Sequence, residues 1–325
     1  MKVIIRFFSV ILFIALALNV FAEGDFAGES MSIGVGARPL GMGGTFAAIA
    51  DDASTSYWNP AGMANIEGVE VSSVKLTKIN DLDTKYSYVN LVYNMGDDAG
   101  ALGLGWLRQA IGDIFITDSL GNIITVAENS DNTVYLAYAR NLVKGFSAGA
   151  TVKVLLGSYP ALDAGGTNYM ELGYTGFGLD VGILANIGDF AKEVGDLRIG
   201  VNIQDVYTTL SWEEGGSSSG GTETVPVNIK PGISYTLPVE DFAVTAALDL
   251  DTKYQMLIHA GLEVWWNKMI GIRGGIKSYG ELEGLQQESD WSIGASLRWY
   301  FIGIDYAYVY NELTPVQYLS IIGKF

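Results

Sequence analysis

Any chemistry in this sequence would have to be done with few reactive side chains. The 325 residues include one histidine, His259, and no cysteine. By alternation His259 shares a strand face with Gly261 and Glu263, and a catalytic pair would need a serine or carboxylate on a neighbouring strand. Strand phase identifies none, so His259 reads as a polar wall residue. Without cysteine there is no thiolate metal site, no disulfide and no lipid-modified N-terminal cysteine. Acidic stretches such as Trp212-Glu213-Glu214, followed by Gly215 to Gly221, read as solvated loops, as do Glu281, Glu283, Glu288 and Asp290. Neither has the D-x-[DN]-x-[DN]-G spacing of a calcium loop. The glycine-rich run from Met31 to Ala64 invites a phosphate-cradle reading, but no strand precedes it. It also lacks both G-x-G-x-x-G and G-x-x-x-x-G-K-[ST]. The expectation is no enzyme, no metal and no cofactor.

The elements that would position these residues follow from composition and periodicity. Lys2 and Arg6, the apolar run Phe7 to Val20 and the small residue at Ala22 make residues 1–22 a secretory signal peptide cut after Ala22. The run is shorter than the roughly 20 residues a spanning helix needs. Cleavage leaves 17 basic residues against 36 acidic ones, a balance that repels nucleic acid. Charged residues are nevertheless only 17%, and glycine reaches 41 of 325. A chain this apolar, with no helix-length apolar run after residue 22, must hide its apolar surface as β structure, in a core or against lipid.

From residue 69 onward the apolar period is two, as in strands with one greasy face. Ile302, Ile304, Tyr306, Tyr308 and Tyr310 alternate with Gly303, Asp305 and Ala307. The other face is rich in glycine, serine, asparagine and isolated charges such as Lys153, Asp180, Arg198, Asp249, Glu263, Arg273 and Arg298. Aromatics gather toward strand ends (Tyr93, Trp265, Trp266, Trp299, Tyr300, Tyr308 and Tyr310), where the girdles of a membrane barrel sit. The reading is an all-β, antiparallel transmembrane β-barrel of fourteen strands over residues 69–325, greasy side to lipid. Connections after even strands are short, and those near 110–131, 158–173, 207–226 and 279–289 are long, which is the asymmetry of periplasmic turns and outer loops. It predicts an outer-membrane protein of a Gram-negative-type bacterium with both termini periplasmic.

Residues 23–68 do not alternate. Fourteen strands leave a lumen wide enough to leak, and this segment is predicted to fold inward from the periplasm as a plug. Gly41, Gly43 and Gly44 permit tight turns. Asp51 or Asp52 caps a short helix over Ala53 to Trp58, which Asn59-Pro60 ends. The string from Gly36 to Ala64, GARPLGMGGTFAAIADDASTSYWNPAGMA, resembles the N-terminal hatch of the PorV/PorQ family of outer-membrane proteins, within the broader FadL-like group of fourteen-stranded barrels. Asn59, Pro60, Ala61 and Gly62 match the motif in that plug. The terminal Phe325 resembles the signal that outer-membrane proteins present to the barrel insertion machinery. The resemblance implies two roles: holding or handing over exported cargo with components of type IX secretion, or FadL-like import of hydrophobic small molecules such as long-chain fatty acids. Outer-membrane lipid is the expected surrounding in both.

Overall fold

The computed structural model describes residues 28–78, 83–118, 120–162, 169–214, 221–253, 256–279, 289–311 and 314–325. The signal peptide and its cleavage point lie outside the described residues, as do Glu281, Glu283, Glu288 and most of the 279–289 connection.

The two-residue period gives each strand two unlike faces, and the ring they build sorts those faces. The strands are β1 (Val69–Lys78), β2 (Thr84–Asn94), β3 (Ala101–Thr117), β4 (Ile123–Val143), β5 (Phe146–Leu162), β6 (Tyr169–Asn186), β7 (Asp196–Glu214), β8 (Thr222–Thr224), β9 (Asn228–Val239), β10 (Phe242–Asp251), β11 (Leu257–Trp266), β12 (Ile270–Tyr279), β13 (Asp290–Trp299), β14 (Ile302–Tyr310) and β15 (Val316–Lys324). Every pairing is antiparallel and joins chain neighbours, except that β7 pairs with β9 past the short β8 and β1 pairs with β15 to close the sheet. The three-residue β8 only rides on β7, so fourteen strands form the ring. On β3, Leu102, Leu104 and Trp106 are exposed while Gly103, Gly105 and Leu107 are buried; on β14, Ile302, Ile304 and Tyr306 are exposed while Asp305 and Ala307 are buried. Large apolar side chains on the outside and polar ones inside are what a lipid-facing belt requires. One girdle assignment changes. Trp265 and Trp266 are adjacent, so alternation sends only one outward: Trp266 is exposed, whereas Trp265 lies against Arg38, Arg273 and Arg298 inside.

The short turns fall where the sequence places them. Asn267 and Lys268 both take positive φ, 48° and 57°, as tight hairpins between right-twisted strands demand. Three of the expected long loops are mostly strand. β3 and β4 continue to Thr117 and from Ile123, β5 and β6 to Leu162 and from Tyr169, and β7 to Glu214. Bulges hid this. Register slips between Ile111 and Ile114, with Asp113 at φ 53°, and β7 slips around Asp205 at φ 58°. Each slip shifts the phase, so the period-two pattern stops although the strand does not. Strands β3 to β7 run 17 to 21 residues, against the roughly 9–11 that span a bilayer. Their surplus raises one side of the wall, five of its fourteen strands, above the rim opposite the short turns.

Residues 28–66 lie within the ring and bond to strands on all sides of it. The Ala37 amide donates to Ser320 Oγ (2.8 Å), that of Gly43 to Ser292 Oγ (2.9 Å), that of Ala53 to Glu70 Oε1 (2.8 Å), and Thr151 Oγ1 donates to the Ser56 carbonyl (3.0 Å). The described segment begins at the raised end, where Met31 packs on Leu155, Leu210 and Val225. It leaves at the turn end, where Asn94 Nδ2 donates to the carbonyls of Ala64 (3.0 Å) and Ile66 (2.6 Å). The expectation of a segment entering from the turn end is therefore revised for its described part. Phe325 sits at the turn end, its backbone paired with Val69.

Candidate functional site in the lumen

The Asn-Pro-Ala-Gly motif works as a joint. Asn59 is extended (φ −165°), which stops α2 (Thr55–Trp58) at Trp58, and its Oδ1 accepts the Ala61 amide to start the next 3-10 turn at Pro60. The buried Asn59 Nδ2 donates to the carbonyls of Ala47 (2.7 Å) and Ile183 (3.0 Å), tying two parts of the segment to β6. Pro60 and Ala61 are buried beside it, and a Cβ on Gly62 would collide with the Ala50 carbonyl. The helix is shorter than expected and neither aspartate caps it. Asp52 Oδ1 instead accepts Ser54 N (2.9 Å) and Oγ (2.6 Å) in the turn before it. Gly43 and Gly44 have φ of 71° and 85°, but Gly41 does not turn the chain. It ends α1 (Ala37–Gly41) and is small because Gly294 and Arg273 press on it.

One side of the lumen is a network of paired charge. Arg38 grips Glu263 through Nε (2.9 Å) and Nη2 (2.7 Å) and reaches Asp51 (2.5 Å) and Asp52 (3.4 Å). Glu263 also takes Arg273 (2.9 Å), and Arg298 holds Asp305 (2.7 Å). Burial alone would lower the Arg38 pKa, but Asp51, Glu263 and Asp52 outweigh it and hold the guanidinium well above its ordinary value. Burial lifts the Asp52 carboxyl above the usual range against the pull of Arg38. Asp249 accepts the amides of Phe46 (2.7 Å) and Ala47 (2.8 Å). At the β7 bulge, Lys153 binds Asp180 (2.7 Å) and Asp205, and Lys253 adds a second contact to Asp205 (3.3 Å). The charges that look isolated in sequence thus belong to pairs or accept amides.

The other side is apolar. Val35, Leu40, Phe46, Tyr57 and Trp58 pack against Val74, Tyr86, Tyr135 and Tyr318. Toward the raised end this core gives way to an aromatic patch. Tyr159, Tyr174 and Trp212 stand 5.1 to 6.2 Å apart between centroids, over Met31, Leu155, Leu210 and Val225. Both tyrosine hydroxyls donate to Asp131 Oδ1 at 2.6 Å. Tyr159 and Trp212 keep partly open faces, and the buried Trp212 Nε1 has no hydrogen-bond partner among the described residues. Such a surface is chemically suited to contact with flat or chain-like apolar groups. Sequence reasoning missed it: Tyr159 and Trp212 fell in stretches read as loop. Arg38 was also missed, although it is the single basic residue of the 28–68 stretch.

His259 faces the lumen, as alternation predicts, with its Nδ1 2.6 Å from the Gly43 carbonyl. It secures the segment at Gly43 and Gly44. Among the described residues no three histidine or acidic side chains stand together as a metal site. At the turn end two polar cavities flank the exit of the segment. One of about 480 Å³ lies between Asn65, Asn141, Lys144 and Arg198, and one of about 450 Å³ between Asp51, Glu67, Glu70 and Lys324.

Comparison with known proteins gives a family and a fold. The model of the uncharacterised protein family UPF0164 matches residues 19–257. No curated protein matches the chain significantly. Among solved structures, the Ralstonia pickettii toluene transporter TbuX is similar over 90% of this chain and 98% of its own, with a TM-score of 0.60 at 17% identity. The P. putida toluene transporter TodX is similar over 90% and 99%, with a TM-score of 0.58 at 13% identity. At such identities the likeness is one of fold.

Proposed function

The chain belongs to the uncharacterised protein family UPF0164, and we propose that it is an outer-membrane channel admitting small hydrophobic molecules, with residues 23–68 as its plug. Residues 1–22 serve as the export signal, and Phe325 as the signal to the insertion machinery. The raised side of the wall faces the outside and the short turns face the periplasm.

The observation that carries the reading is the aromatic patch of Tyr159, Tyr174 and Trp212, set inside the ring at the raised end directly above the N-terminal segment. A greasy solute leaving water for such a surface gains on the order of 25 cal/mol per Å² buried there. The fold shared with two toluene transporters supports the same reading. Mass spectrometry of an organic extract of the purified protein tests it. Hydrophobic small molecules should co-purify with the wild type and fall away in Trp212→Ala; an extract indistinguishable from empty micelles counts against the channel.

A second reading, capture of exported protein at the surface as PorV/PorQ resemblance implies, is favoured by one feature. Above Ser130, β4 pairs only with β3, leaving a two-stranded hairpin whose Phe115, Leu120, Ile123 and Val126 are exposed. Cross-linking from this hairpin in intact cells would yield an exported protein or a secretion component under that reading, and only lipid or nothing under the channel reading.

A further inference from the structure

We infer that the channel selects uncharged hydrophobic molecules and turns away carboxylates of the same chain length. The inference rests on the channel reading and adds to it the chemistry of the solute.

A fatty-acid carboxylate entering a low-dielectric lumen needs a cation free to meet it. Among the side chains described near the raised mouth, the buried lysines are engaged: Lys153 with Asp180 (2.7 Å) and Asp205, Lys253 with Asp205 (3.3 Å), and Lys230 with Asp251 (2.8 Å). Lys277 stands opposite Asp290 in register. Deeper in, Arg38, Arg273 and Arg298 are held by Glu263 and Asp305. The aromatic patch itself contains a carboxylate, Asp131, whose contacts are two phenol hydroxyls and which has no ion-pair partner among the described residues. A bound anion there would sit beside a negative charge with nothing to offset it.

The approach has the same sign. Among the described residues that link strands at the raised end, Asp83 and Asp118 are acidic, and the one basic residue, Lys253, is already bound to Asp205. A negative mouth lowers the local concentration of anions and leaves neutral solutes unaffected. For a neutral ligand the patch offers the partly open ring faces of Tyr159 and Trp212.

The test compares dodecanol with dodecanoate, which share a chain and differ in charge, by equilibrium dialysis against the full mature protein in neutral-detergent micelles with empty micelles subtracted. At about pH 8, where the acid is ionised, dodecanol should bind and dodecanoate bind at least about tenfold more weakly. Lowering the pH to about 4, which protonates the fatty acid, should close the gap, and Asp131→Asn should narrow it at pH 8. Dodecanoate binding as tightly as dodecanol, or a gap unmoved by pH, overturns the inference and leaves the channel standing. If neither binds, the channel reading falls and the inference goes with it. Should Asp131→Asn fail to fold, the pH comparison on the unaltered protein decides alone.

Discussion

Asn59 and Glu263 each join several groups that chain distance keeps apart. Asn59 Nδ2 serves two carbonyls, one on the N-terminal segment and one on the wall. Asn59→Ala removes both bonds and takes this donor from the buried Ala47 carbonyl, so the unfolding free energy in lipid vesicles, followed by urea titration, should fall by about 2 kcal/mol. Glu263 is completely buried between Arg38 and Arg273. Glu263→Gln keeps its shape but leaves the buried Arg273 without an ion-pair partner among the described residues, while Arg38 keeps Asp51 and Asp52, so a loss of about 3 kcal/mol is expected from the same measurement. The Gly-Asn-Pro character of the segment could be read from the chain, because turn and cap residues announce themselves locally. Their partners could not. The Arg38–Glu263 contact spans 225 residues, and a single sequence gives no sign of which carboxylate an arginine will meet.

At the scale of elements, alternation gave every ring strand, and the greasy face of strands such as β14, because period two is written directly in the residue types. It failed where β3 and β7 bulge, since one extra residue flips the faces and makes a continuing strand look like loop. The β7 bulge depends on Asp205, which holds φ at 58° and binds Lys153 and Lys253. Two substitutions separate these demands. Asp205→Asn tolerates positive φ and removes only charge, whereas Asp205→Val also resists the backbone. The valine variant should unfold at lower urea than the asparagine variant, and both below the wild type. Equal midpoints for the two would show that the bulge carries no backbone strain.

For the whole molecule, the outward apolar face, the inward polar face and the segment inside the ring are the arrangement from which we propose a plugged channel. If residues 28–66 close the lumen, a variant lacking 23–66 should conduct steadily in a planar bilayer where the full mature chain stays silent; conduction by both would deny the segment that role. The claim on which the account turns is passage of greasy solutes by way of the aromatic patch. Its most direct test is the initial rate of radiolabelled toluene uptake by a Gram-negative host producing the wild type, Trp212→Ala with Tyr174→Ala, or no channel, at matched outer-membrane levels. The account predicts fast uptake with the wild type and a fall toward the channel-free rate when both rings are removed. Uptake by wild-type cells no faster than by channel-free cells would contradict it.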